Sequence, residues 1–148
     1  MPPSPLAAPD AGTDSRDRRL PALRPPAAAA AAALAVTAYL GTVDPNQPGH
    51  YPTCPFFAIT GRFCPGCGSL RAVHALSHGD VSAALSLNVL TVLGVVGCAV
   101  LWVRWVVRRW RGQPSAIVVA AWGWYVVLGV LAVFWVLRNL PVGAGLAP

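Results

Sequence analysis

Three cysteines in one short stretch offer this sequence its clearest chemistry. Cys54, Cys64 and Cys67 fall in the pattern C-x9-C-x2-C, inside a run ending Phe63-Cys64-Pro65-Gly66-Cys67-Gly68. The three histidines, His50, His74 and His78, lie in the same segment, 44–80. Three readings of this set stay open on the sequence. In the first, Cys64 and Cys67 are a reversible dithiol. A thiolate at a helix N-terminus gains from the helix dipole, and the guanidinium of Arg71 one turn on would lower the thiol pKa further. Cys64, Cys67 and Arg71 are then the catalytic candidates, with Cys54 as a third thiol for exchange. In the second, Cys54, Cys64 and Cys67 bind zinc with His74 or His78 as the fourth ligand. No second C-x2-C pair exists, which argues against a zinc ribbon. In the third, Cys54 pairs with Cys64 or Cys67 in a disulfide that staples the loop, and the histidines line a surface.

Local signals suggest how these residues are held. Cys64 can cap a helix with Pro65 at its first position, where the missing N–H costs nothing. Gly79 ends that helix, and the Asp80 carboxylate caps the next one. The spacing predicts a helix over Pro65–His78, too short to cross a bilayer. Cys67, Arg71, His74 and His78 then share one stripe, with Leu70, Val73 and Leu76 on the other side. Such an amphipathic helix fits the outer surface of a membrane.

The rest of the chain supplies the membrane part. Of 148 residues, 55% are hydrophobic and 11% charged, and all the positive charge comes from arginine. Soluble domains carry about 25% charged residues. Three apolar stretches follow a proline-rich beginning: about 27–43, 81–103 and 115–137. Roughly 20 helical residues cross a hydrocarbon core. The expected fold is an all-α membrane protein with three transmembrane helices plus a short extracytoplasmic amphipathic helix. Residues 1–26 hold seven of the fifteen prolines and read as a disordered cytoplasmic tail. The membrane domain runs over 27–140 with the cysteine-rich loop at 44–80, and 141–148 form a short C-terminal tail. The stretch 27–43 has a rival reading as the apolar region of a signal peptide, which would also put the following loop outside.

Arginine bias sets the orientation. Arg16, Arg18, Arg19 and Arg24 precede the first stretch, and Arg104, Arg108, Arg109 and Arg111 follow the second. The N-terminus and the 104–114 loop should be cytoplasmic, with 44–80 outside and Arg138 as the one dissenting charge. Trp102, Trp105 and Trp110 beside the arginines suit an interfacial belt. Asn88, Thr91 and Cys98 lie at helical spacing within the second stretch, where polar groups usually bond between helices. There is no nucleotide loop, no paired carboxylates and no Ser-His-Asp set. The arginines flank apolar segments and form no separate basic domain, so the partner is the lipid bilayer rather than nucleic acid. A membrane-protein partner or a second copy is also expected.

The ordered string Cys54-Pro55, Thr60-Gly61, Cys64-Pro65-Gly66-Cys67-Gly68, Arg71-Ala72, Gly79-Asp80 and Asn88 resembles domain of unknown function 2752, a family of small bacterial membrane proteins. The resemblance covers roughly residues 50–92. Leu70 stands where the family pattern has threonine, and Val89 where it has proline. The resemblance implies a multi-pass protein of the bacterial inner membrane and the cysteine motif, but no reaction. The functional expectation is thiol redox or metal work at Cys64 and Cys67. The alternative is a non-enzymatic structural or accessory subunit whose cysteines form a stabilising disulfide. A small transporter is disfavoured, because the stretches carry no charge within them.

Overall fold

The computed structural model describes residues 14–47, 49–113 and 121–146, and no strand occurs among them. Five α-helices are formed: α1 (Asp14–Thr42), α2 (Pro55–Thr60), α3 (Ser69–Ser77), α4 (Val81–Trp110) and α5 (Ala121–Arg138). A 3-10 turn over Pro141–Leu146 follows.

α3 packs on both α1 and α4, which also pack on each other. Small residues allow this. Ala72 of α3 and Ala84 of α4 are fully buried. A methyl group on Gly41 would come within 3.0 Å of the Ser77 hydroxyl, so glycine lets α1 approach α3 closely. Trp102 Nε1 donates to the Pro26 carbonyl at 2.9 Å, tying the far end of α4 to α1. The end of α1, the start of α4 and the end of α5 therefore gather around the cysteine segment.

Among the described residues two helices are long and apolar enough to cross a membrane: Pro21–Thr42, with mean hydropathy 1.2, and Val81–Trp110, with 2.2. Trp122–Arg138 is a shorter apolar helix. The first six residues of the expected third stretch, 115–120, lie outside the described residues. α1 reaches back through Pro21, Pro25 and Pro26, so 14–26 of the expected tail are helical. Residues 1–13 lie outside the described residues.

The junction read at Gly79-Asp80 is present. Gly79 has φ +80°, and Asp80 Oδ1 accepts from the Ala83 amide at 2.9 Å and the Ser82 hydroxyl at 2.7 Å. The expected helix over Pro65–His78 is corrected. It begins only at Ser69, and residues 65–68 form a turn. Gly68 has φ +83°, which ends any helical path from Pro65 and makes Gly68, not Cys64, the cap. The Cys67 amide bonds to the Cys64 carbonyl at 3.1 Å, and the Ser69 amide to that of Gly66 at 3.0 Å. Cys67 therefore lies off the helix, and the stripe joining it to Arg71, His74 and His78 does not form. α2 was not foreseen; Pro55 opens it and Gly61, at φ +66°, closes it.

Candidate functional site

The loop and the turn bring the three cysteines together. Cys54 sits at the cap position of α2, and Cys64 and Cys67 flank the Pro65-Gly66 turn. Sγ of Cys64 lies 3.2 Å from Sγ of Cys67 and 3.6 Å from Sγ of Cys54. All three sulfurs lie within 4.8 Å of one another, with that of Cys67 the most enclosed. None of these distances is a disulfide bond, so the expected staple from Cys54 is not formed. Cys98 lies apart and exposed on α4.

The thiols differ in acidity. The Phe57 amide in the first turn of α2, followed by the hydrogen bond from Cys64, lowers the Cys54 thiol. Cys67 is pushed up to about 12, first by burial and then by its hydrogen bond with the Cys64 thiol. The amide of Cys64 donating to Cys67 Sγ at 3.3 Å only partly offsets this.

Side chains from α4 and from the end of α5 hold the turn by its carbonyls. Asn88, 1% exposed, donates through Nδ2 to the carbonyls of Pro65 at 2.9 Å and Cys67 at 3.1 Å, and to the Ser69 hydroxyl at 3.3 Å. Its Oδ1 accepts from the Thr91 amide at 3.2 Å, and its own backbone is non-helical, at φ −166° and ψ 98°. The kink in α4 thus forms at Asn88 although Val89 is not proline. Thr91 Oγ1 adds a 2.8 Å bond to Ser69 Oγ.

Arg138, 2% exposed, donates to the carbonyls of Cys64 at 3.4 Å, Pro65 at 3.5 Å and Leu87 at 3.2 Å. Its guanidinium lies 5.9 Å from the Phe63 ring centre and 5.4 Å from that of Phe134. Asn139 exchanges two bonds with the Phe63 backbone, accepting from its amide at 3.0 Å and donating to its carbonyl at 2.9 Å. The charge that dissented from the arginine bias is therefore a buried clamp on the cysteine turn. Sequence reasoning missed Arg138 and Asn139; it read Asn88 and Thr91 as bonding to other helices, and both reach Ser69 at the start of α3. A buried cation at the end of an apolar helix was the available signal.

The remaining sequence candidates go elsewhere. His74 Nδ1 donates to the Leu40 carbonyl at 2.7 Å, and its Nε2 lies 3.7 Å from Asp44 Oδ1. His78 packs on His74 with ring centres 4.5 Å apart and donates to the His74 carbonyl at 2.9 Å. His74 thus serves the α1–α3 junction, and among the described residues the cluster of metal-capable atoms contains the three sulfurs without an imidazole. Arg71 lines an open cleft of about 590 Å³ that also takes in Cys54, Cys64 and Cys67.

Residues 54–102 match the family described as protein of unknown function (DUF2752), which supports the resemblance read from the sequence. No curated protein and no solved structure matches the chain.

Proposed function

We propose that this chain is a multi-pass inner-membrane protein that holds one thiophilic metal ion, zinc being the leading candidate, on Cys54, Cys64 and Cys67. The observation that carries this is the triangle of sulfurs, all within 4.8 Å of one another. Tetrahedral zinc with bonds of about 2.3 Å separates its sulfur ligands by roughly 3.8 Å, so small shifts would let all three bind one ion. A metal also supplies the positive charge that deprotonation of the enclosed Cys67 requires. His74, the ligand expected from sequence, is engaged with Leu40 and Asp44 and drops out of the set.

The membrane reading gains from the apolar faces. Leu93, Val96, Tyr125 and Val133 are all more than half exposed, a pattern that suits lipid rather than water. In this topology α1, α4 and α5 span, the N-terminus is cytoplasmic, and 44–80 lie outside. The cysteine turn packs at the level of Asn88, seven residues into α4, or about 10 Å below its start. Irregular backbone at such depth is tolerated where protein groups satisfy it, the task performed by Asn88, Arg138 and Asn139.

X-ray absorption of the zinc-loaded protein in detergent tests the site. Three sulfur neighbours at about 2.3 Å are expected, falling to two in Cys54→Ser. A shell of nitrogen and oxygen alone would overturn the assignment. A second reading has its own observation: Cys64 and Cys67 are the closest pair, at 3.2 Å. A reversible disulfide between them, with Cys54 as the exchanging thiol, is the redox alternative.

A further inference from the structure

The cleft over the thiols has a composition that the metal site alone does not require. Among the described residues its lining contains no histidine, aspartate or glutamate, so beyond the three sulfurs these offer no strong ligand side chain for an ion. Among the described residues the one charged lining residue is Arg71. Among the described residues the Arg71 side chain makes no hydrogen bond and no ion pair, while the second cation nearby, Arg138, is occupied by backbone carbonyls. Asn46 and Gln47 add neutral polar groups to the same lining. At about 590 Å³ the cleft falls within the size of small-molecule sites, which run from about 300 to 1,000 Å³.

We infer that this cleft admits a small anionic thiol, whose sulfur completes the coordination of the ion on Cys54, Cys64 and Cys67 while its carboxylate pairs with Arg71. Three thiolates select a soft ion, and a soft ion favours a fourth soft donor. Among the described residues no fourth histidine, cysteine or carboxylate joins the three sulfurs, so that donor can come from outside. An incoming thiol gives up its proton to solvent and binds as thiolate, with no change of oxidation state. An arginine without a partner beside the opening favours a carboxylate on the incoming molecule, and its planar fork suits that group. The inference rests on the metal reading and specifies what the site receives.

Cadmium-loaded full-length protein in detergent tests it, read by ultraviolet sulfur-to-cadmium charge-transfer absorption. The band with cadmium alone checks the metal reading. Its absence in wild type, with all thiols reduced, would overturn both that reading and this inference. With the band present, mercaptosuccinate should increase it in a saturable manner and at lower concentration than uncharged 2-mercaptoethanol. Arg71→Gln should weaken mercaptosuccinate binding about tenfold, as expected for loss of one charge-assisted pair, and leave 2-mercaptoethanol unchanged. Arg71→Lys should recover part of the preference. Equal affinity for the two thiols in wild type, or an unchanged preference in Arg71→Gln with the cadmium band intact, would overturn the inference and leave the metal site standing.

Discussion

Asn88 is the residue on which the cysteine turn most depends, because one buried amide serves two carbonyls and a hydroxyl. Asn88→Ala should destabilise the protein by about 1–3 kcal/mol, the cost of leaving buried acceptors without a donor. Asn88→Asp should cost more, since it sets a carboxylate against the same carbonyls. Thermal unfolding in detergent orders the three proteins, and wild-type stability in both variants would contradict the clamp. The thiols give a second residue-scale prediction. Thiolate is the reactive form, so a lowered pKa brings reaction at lower pH. In metal-free reduced protein, alkylation should reach Cys54 at lower pH than Cys67, which is pushed up to about 12. Peptide mass spectrometry across a pH series reads this order, and the reverse order would contradict it. The gathering of chemistry in 54–67 was legible from cysteine spacing alone. The bonds that Asn88, Arg138 and Asn139 make to the cysteine segment were not, because each of those joins residues at least 19 positions apart and no local pattern encodes it.

Among the elements, the turn and α3 show how one glycine redirects a segment. Cys64-Pro65 reads as a cap followed by a first helical residue, and that reading gave a helix four residues too long at its start. Gly68, at φ +83°, instead ends the turn and starts α3 at Ser69. Gly68→Ala should cost roughly 1–2 kcal/mol through the left-handed conformation and reduce cadmium uptake as Cys67 moves. Retained stability and full uptake would mean that the turn tolerates another path. Local pattern succeeded where the signal was local: Gly79 and Asp80 mark the α3–α4 junction as read. It failed where side chains replace helical bonds, as at Asn88, whose Oδ1 takes up the Thr91 amide and permits a kink without proline.

For the whole molecule, three helix ends meet at one site. The last turn of α1, the first turns of α4 and the end of α5 all meet the cysteine segment, and Trp102 joins the opposite end of α4 to α1. In a background lacking native cysteines, Asn46→Cys should react with an impermeant thiol reagent on intact cells, whereas Gly112→Cys should react only after permeabilisation. The opposite pattern would invert the proposed topology. The all-helical class and both long apolar helices were legible from hydropathy, because a helix in lipid displays its apolar character in composition. The cleft was not, since it arises from folding the loop back onto α3 and the turn. The central claim concerns what the three sulfurs hold, and its most direct measurement is the metal content and disulfide state of the protein purified anaerobically in detergent. The proposed site predicts one zinc per chain with Cys54, Cys64 and Cys67 all free of disulfide. A Cys64–Cys67 disulfide without metal would contradict it in favour of redox exchange, and a reduction-resistant bond to Cys54 would contradict it in favour of a structural staple.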